Sequence, residues 1–319
     1  MEQPLDEREL RSWEMGIASG NASLHGALAI DRSRIAASPL SPSVLLLIIA
    51  IAILFALERR FPLRQQKQPL GRRLVVNSAV AALAIAVALM IVRPVASWLL
   101  GEVSQNRWGL TGIVQMPTPL QGAATFLLLD LSFYYWHRAN HVWPFLWRFH
   151  NVHHVDPDLD VSTSFRFHFV EIAFSAAFRA LQVVVVGGEL WMFVVYESAF
   201  QLNTLFQHSN VRLPITLERW IVLIFVTPRM HGIHHSKRFQ DANSNWSSVF
   251  SWWDRLHGTL NLNVPQAAID IGVPGYSGPR DNQILQLLLM PLQRQRSYWS
   301  AEWKVPYPVQ RDAKNVLPE

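Results

Sequence analysis

Cysteine is absent from the 319 residues. That excludes disulfides, iron–sulfur clusters, thiolate-ligated haem and cysteine-type zinc sites. Charge is scarce too. Only 16% of residues are charged and 50% are hydrophobic, whereas an average soluble domain is about 25% charged. A chain of this balance reads as a membrane protein. The net charge of +5 is unevenly placed, because Arg59, Arg60, Arg64, Lys67, Arg72 and Arg73 crowd one short loop between two apolar runs. Such a loop marks the cytoplasmic side of a bilayer. It lacks a nucleic-acid reading element, so no nucleic-acid partner is expected. A secretory signal is not evident either: the first apolar run starts near Val44 with no basic segment directly before it.

The apolar runs set the expected organisation. Residues 1–40 form a polar segment with the composition of a disordered one. Residues 41–262 form one membrane-embedded catalytic domain, and 263–319 a C-terminal tail on the cytoplasmic side. Within the domain, Val44–Leu57 is almost purely aliphatic and approaches the ~20 residues that span a bilayer. Leu74–Leu100 is a second run, with Pro94 marking a kink or a helix stop. Gln121–Trp136 is a third. Phe169–Val186 and Leu190–Phe206 are a fourth and fifth, joined by Gly187, Gly188 and Glu189 as a helical hairpin. Glu171 and Arg179 make the fourth run the weakest span. Arg212–Val226 is amphipathic and suits a membrane surface. Ile284–Leu292 is an apolar patch for docking on the membrane or over a pocket. The expected fold is an all-α integral membrane protein with about four to five membrane-embedded helices.

Histidine is what the chain has in a pattern. Nine of its 12 histidines fall into four groups. His137 and His141 form H-x3-H. His150, His153 and His154 form H-x2-H-H, and His231, His234 and His235 repeat it. His208 stands alone between the last two boxes. Imidazole is the commonest side-chain metal ligand, and residues three or four apart share a helix face. So many rings exceed the needs of a single ion and predict a site for two. Orientation set from the arginines alone then gives a test. With the basic loop in the cytoplasm, spans one to three deliver His137 and His141 to that face. The hairpin goes out and returns, so His208 and the last box end there as well. All nine histidines land on one side.

No carboxylate lies within the boxes. The glutamate of H-E-x-x-H or H-x-x-E-H is missing, which weakens a zinc peptidase reading. An all-imidazole site suits zinc, copper, iron or nickel. Asp130, seven residues before His137 on the same helix face, is placed to accept the N–H of a ligand histidine; a solvated interfacial carboxylate or an ion pair with Arg138 is the plainer alternative. Tyr134, Tyr135, Trp136, Trp143 and Trp147 read as an interfacial aromatic belt. His25, His168 and His257 stand outside the groups.

The run Asp130-Leu-Ser-Phe-Tyr-Tyr-Trp-His137-Arg-Ala-Asn-His141, followed by Phe149-His150-Asn-Val-His153-His154, resembles the fatty acid hydroxylase/sterol desaturase superfamily of membrane enzymes. The resemblance continues through Asp160–Glu171, Gln207–Asn210, His231–His235, Asn245-Trp246 and Trp253–Thr259, and covers roughly 120–260. It implies a di-iron centre, O2 as co-substrate, and hydroxylation or desaturation of an unactivated C–H in a sterol-like, isoprenoid or fatty acyl lipid. It carries the metal ligands to His137, His141, His150, His153, His154, His208, His231, His234 and His235. Asp130, His168, Asn245 and Asp254 match supporting positions beside them. Electrons must come from an external donor of ferredoxin or cytochrome type with its reductase. Phe169, Trp246-Ser247 and His257 depart from the family pattern, and His257 is a weak candidate for an added ligand. Two other readings stay open: a zinc-dependent membrane hydrolase using Glu171 or Asp156 as base, and a non-enzymatic metal-binding or transport protein. Transporters place ligands mid-span, whereas these boxes lie at span ends.

Overall fold

The aliphatic runs become helices because nothing in them interrupts the i→i−4 ladder and their side chains are apolar on every face. The computed structural model describes residues 42–114 and 116–304. The expected polar segment 1–40 and His25 lie outside them. The chain divides into two units, Met1–Ile48 and Ile49–Glu319; the site lies wholly in the second.

Helix α1 is Pro42–Arg60 and α2 is Leu70–Val87. The helix does not stop near Pro94. A π-helical turn, Ala88–Val92, carries it into α3, Arg93–Asn106. Proline cannot donate to the ladder, and a π turn just before it absorbs the mismatch. Helix α4 is Thr118–Val142 and runs straight from the third apolar run into the first histidine box. Trp143 and Pro144 break it, and α5, Pro144–His154, carries the second box. Helices α6, Phe169–Val186, and α7, Leu190–His208, form the expected hairpin. At its turn Gly187 has φ +74° and meets the backbone of Trp108 and Gly109, so a side chain there has neither the conformation nor the room. Helix α8, Ile215–Ile221, lies in the amphipathic stretch, and α9, Pro228–His234, carries the third box. Among the described residues there are no strands, only isolated bridges such as Ser236 with Ile271.

Two stretches among the described residues are long and apolar enough to cross a membrane, Leu70–Ile113 and Phe169–Val186. Among the remaining runs, α4 carries Asp130 and Gln121, and α7 carries Glu197, Gln201 and Asn203. Leu83, Ile85, Leu89, Met90, Ile91, Val184, Val185, Val194 and Val195 are exposed. An apolar surface of that size on a folded chain is unusual in water.

Helix α4 packs on α5 and α7, α7 on α9, and α2 on α6. These contacts bring the ends of α4, α5, α7 and α9 together. Between 264 and 290 the segment expected as a C-terminal tail contributes core side chains. Val264, Ile269 and Ile271 pack with Leu159 and Ile233, and Val273, Tyr276, Leu287 and Met290 pack with Val76 and Trp147. The Ile284–Leu292 patch is thereby divided: Leu287 and Met290 are buried, Leu285 and Leu292 exposed.

The basic loop is also tied down. Arg73 is buried and bonds Asp156, Asp160 and Thr163. Asp158 accepts the main-chain N–H of Lys67 and Gln68 at 2.7 and 2.8 Å. Arg64 donates to the Pro228 carbonyl at 2.8 Å. The loop thus lies against the residues that follow the second box and open the third. Basic loop and histidines share one side of the molecule.

Candidate metal centre

Helical spacing sorts the histidines into two groups. His137, His141, His150, His154 and His234 bring one ring nitrogen each within 4.8 Å of one another, and so do His153, His208, His231 and His235. Each H-x2-H-H box serves both. In α5 the i, i+4 pair His150/His154 joins the first group and His153 the second. In α9 the pair His231/His235 joins the second group and His234 the first. Residues four apart point along one line and the residue at i+3 is rotated from it, so one short helix addresses two neighbouring points. The groups touch: the rings of His154 and His235 stack with centroids 4.3 Å apart. His208, at the last position of α7, fills the second group. All nine are brought together.

Hydrogen bonds from outside fix how several rings face. His137 Nδ1 donates to the Trp246 carbonyl at 2.9 Å, His234 Nδ1 to the Ser244 carbonyl at 2.8 Å and His208 Nδ1 to the Thr204 carbonyl at 2.7 Å. His150 Nδ1 lies 2.7 Å from Glu171 Oε1. A neutral ring that donates through Nδ1 presents a lone pair at Nε2. Burial lowers the imidazole pKa values, and neighbouring histidines lower them further: well below 6.5 for His153, His154, His231 and His235. Burial takes His208 down to about 4 and His234 to about 3, against the raising effect of their carbonyl bonds. In these six rings burial favours the neutral form, the form that ligates metal.

The donor set fits metal ions. His208 Nε2 lies 3.0 Å from His153 Nε2 and 3.0 Å from His231 Nε2, and His231 Nε2 lies 3.1 Å from His235 Nε2. The single lone pair of His208 can accept a proton from one neighbour, not two, whereas a shared cation satisfies all four rings. In the first group Nε2 of His150, His154 and His234 and both nitrogens of His141 are buried without a hydrogen-bond partner. Buried polar atoms in that number are rare in proteins.

Residues 122–259 match the profile of the family described as fatty acid hydroxylase. Over this segment the chain is similar to the fatty acid hydroxylase family. Ornithine lipid hydroxylase OlsE of Rhizobium tropici is 32% identical over 50% of this chain and 48% of its own length. Alkylglycerol monooxygenase of Homo sapiens is 26% identical over 59% of this chain and 40% of its own. Cholesterol 25-hydroxylase of Homo sapiens is 26% identical over 44% and 51%. The chain spans about half the length or less of these curated relatives. No solved structure matches it.

Within the matched segment, the expected supporting residues act at different distances. Asn245 adopts φ +56° and its side-chain N–H groups bond the carbonyls of Met230 and Asn261 at 2.9 and 2.7 Å. That left-handed residue stands between Ser244 and Trp246, whose carbonyls hold His234 and His137. Asp254 accepts the N–H of Trp246 at 3.0 Å and of Ser247 at 2.9 Å, and so fixes the same strand of backbone. His168 caps α6, accepting from the Val170 N–H at 3.2 Å, and so fixes the turn that bears Glu171. Asp130 is fully buried, and its hydrogen bonds run to Phe250 N at 3.0 Å and Trp253 Nε1 at 2.7 Å rather than to a ligand ring or Arg138. The carboxylate that meets a histidine is Glu171, which the sequence presented as a charge in an apolar run and as a candidate base, not as a partner of His150.

Two further expectations change. His257 lies outside both groups, bonded to Tyr135 Oη and the Trp253 carbonyl and stacked on Tyr134. Of the residues expected in an aromatic belt, Tyr135 and Trp143 are exposed, whereas Tyr134 and Trp147 are core residues. Trp147 packs on His141 and His154 with centroids 4.8 and 5.3 Å away.

Proposed function

We propose that this protein is a multi-pass membrane enzyme that uses O2 and a two-iron centre to hydroxylate an unactivated C–H of a lipid. The observation that carries the proposal is the division of nine histidines, eight of them buried, into adjacent groups of five and four. The relatives support it: their printed names are ornithine lipid hydroxylase, alkylglycerol monooxygenase and cholesterol 25-hydroxylase. Bound iron supplies redox chemistry with O2, which side chains alone lack.

In this proposal His137, His141, His150, His154 and His234 hold one ion and His153, His208, His231 and His235 the other. Glu171 and the carbonyls of Thr204, Ser244 and Trp246 set ring tautomer and direction. Exposure differs within the set: His141 is only partly buried, whereas the histidines of the second group are fully enclosed. We place the open side, where the lipid C–H and O2 approach, at His137 and His141, at the end of α4. Closely packed aromatics there, Trp136 on Phe178 and Phe145 against Phe149 and Phe174, keep water from the reacting carbon. The exposed aliphatic faces of α2 and the α6–α7 hairpin sit in lipid, four to five helices are embedded, and the histidines face the cytoplasm, as the basic loop beside them indicates. A sterol-like, isoprenoid or acyl chain is the substrate class.

A zinc hydrolase is disfavoured by the carboxylates. Glu171 is committed to His150, and Asp156 is held by Arg73, Asn77 and Thr163. Burial pushes the Asp156 carboxyl up, but Arg73 and Arg166 outweigh it and hold it below the usual range. Lipid analysis of cells with and without the chain under 18O2 tests the proposal. Label in a lipid hydroxyl, lost with His153→Ala, is the expected result. Unlabelled lipids and purified protein carrying zinc would overturn it.

A further inference from the structure

An oxygenase of the kind proposed above takes up two electrons for each O2, and this chain has no cysteine to hold an iron–sulfur cluster. Electrons must reach the histidine groups from a redox carrier outside them, which requires a path to the surface. Trp147 is 3% exposed and lies against His141 and His154. On its far side Trp299 stacks with centroids 5.5 Å apart and planes at 28°. Trp299 is half-buried, and its indole N–H is fixed on the Lys237 carbonyl at 2.8 Å. Phe239, 41% exposed, meets Trp299 edge-on at 5.3 Å. Two indoles thus join the first histidine group to the surface. They do so through the segment after 260.

The surface around Trp299 is basic. Arg148 acts on Tyr298, Lys237 sits over Trp303, and Arg296 lies over Tyr276, which stacks on Tyr298. Lys304 is exposed on the turn that packs against Phe239–Ala242. Lys67 shares Asp270 with Lys237. Against these five cations stand three carboxylates: Asp270, Asp281, which pairs with Arg296, and the exposed Glu302.

We infer that the Trp147–Trp299 stack is the electron entry route and that the basic surface around Trp299 docks an acidic one-electron carrier protein. The inference rests on the function proposed above. At each encounter the carrier gives up one electron and is oxidised, and the bound metal is reduced by one. Two encounters supply the pair that one O2 requires. No bond in this chain forms or breaks. Opposite charge steers the encounter, so its rate falls with salt.

The test uses full-length, iron-loaded protein in nanodiscs and a reduced plant-type [2Fe–2S] ferredoxin as the probe carrier. Stopped-flow absorbance follows ferredoxin oxidation in wild type, Trp299→Leu and Trp299→Phe, with dithionite as a small reductant that needs no docking. Surface plasmon resonance measures ferredoxin binding to the apoprotein and to Lys304→Glu. The expected result is a loss of at least tenfold in the ferredoxin rate for Trp299→Leu, near-recovery in Trp299→Phe, unchanged reduction by dithionite, and weaker binding in Lys304→Glu that salt erases. Equal ferredoxin rates in wild type and Trp299→Leu overturn this inference alone. Protein that takes up no iron, or iron that dithionite does not reduce, overturns the functional proposal and this inference with it.

Discussion

Glu171 Oε1 stands 2.7 Å from His150 Nδ1, with both side chains 5% exposed. A carboxylate behind a ligand imidazole fixes its tautomer and raises its basicity, and removing such a partner typically costs 10–100-fold in metal affinity. Glu171→Ala is expected to lower iron affinity by about that factor, measured by competition with a chelator. Glu171→Gln keeps an acceptor oxygen and loses the charge, so a smaller drop is expected. Unchanged affinity in both variants would remove the orienting role.

The two groups predict selective losses of metal. His153→Ala takes a ligand from the group of four and His141→Ala from the group of five. Each single variant is expected to retain about one ion where the proposed centre holds two, by elemental analysis of purified protein. Pairing either with His154→Ala separates the groups further, since His154 and His141 belong to the same one. Complete loss of both ions from each single variant would mean that the groups bind as one unit.

Asn245 is both conformationally unusual and doubly bonded, and substitution separates the two effects. Asn245→Gly tolerates φ +56° but loses the bonds to Met230 and Asn261. Asn245→Ala loses the bonds and adds backbone strain of order 1 kcal/mol or more. Metal retention and thermal stability are expected to fall in the order wild type, Gly, Ala. An alanine variant as stable as the glycine one would show that the left-handed backbone is not held against resistance.

Glu58 lies just beyond the apolar run of α1. Its Oε2 accepts the main-chain N–H of Asn210 at 3.0 Å and of Val161 at 3.1 Å. Burial pushes its carboxyl up from 4.5 to about 7, against the lowering effect of those two bonds. A folded-state pKa above the unfolded value means that the folded protein binds the extra proton between those limits. Stability from this group is full below about 4.5 and falls as pH rises through 7. At pH 8 the buried charge costs on the order of 3 kcal/mol. Glu58→Gln is expected to raise the unfolding midpoint at pH 8 and to leave it nearly unchanged at pH 5. An equal effect at both values would assign the gain to packing instead of charge.

Much of the site was legible because histidine spacing and helix periodicity state the same thing. H-x3-H and H-x2-H-H each place rings on one face, and the nine candidates converge. The α6–α7 hairpin was equally legible from Gly187 and Gly188. What sequence could not supply were main-chain partners. The carbonyls of Thr204, Ser244 and Trp246 leave no mark in residue identity, and Asn245 signals its turn only weakly. Asp130 and Glu171 illustrate a different limit. Both are carboxylates in apolar helices near a box, and choosing between them needs the packing of α6 on α5. The basic loop misled in one respect. Arg73 reads as a free juxtamembrane charge but is neutralised by Asp156 and Asp160, a pairing between residues more than 80 positions apart.

Interleaving within each box has a consequence for how this chain can change over generations. A single inserted or deleted residue between His150 and His153 turns the following part of α5 by about 100°. His153 leaves one group and His154 the other in the same event. The same holds in α9 between His231 and His234. Within these two boxes neither histidine group can be lost, relocated or retuned alone by a shift in helix register. Uncoupling the groups takes point replacement of a box histidine, or a change in α4 or α7, whose histidines each serve one group.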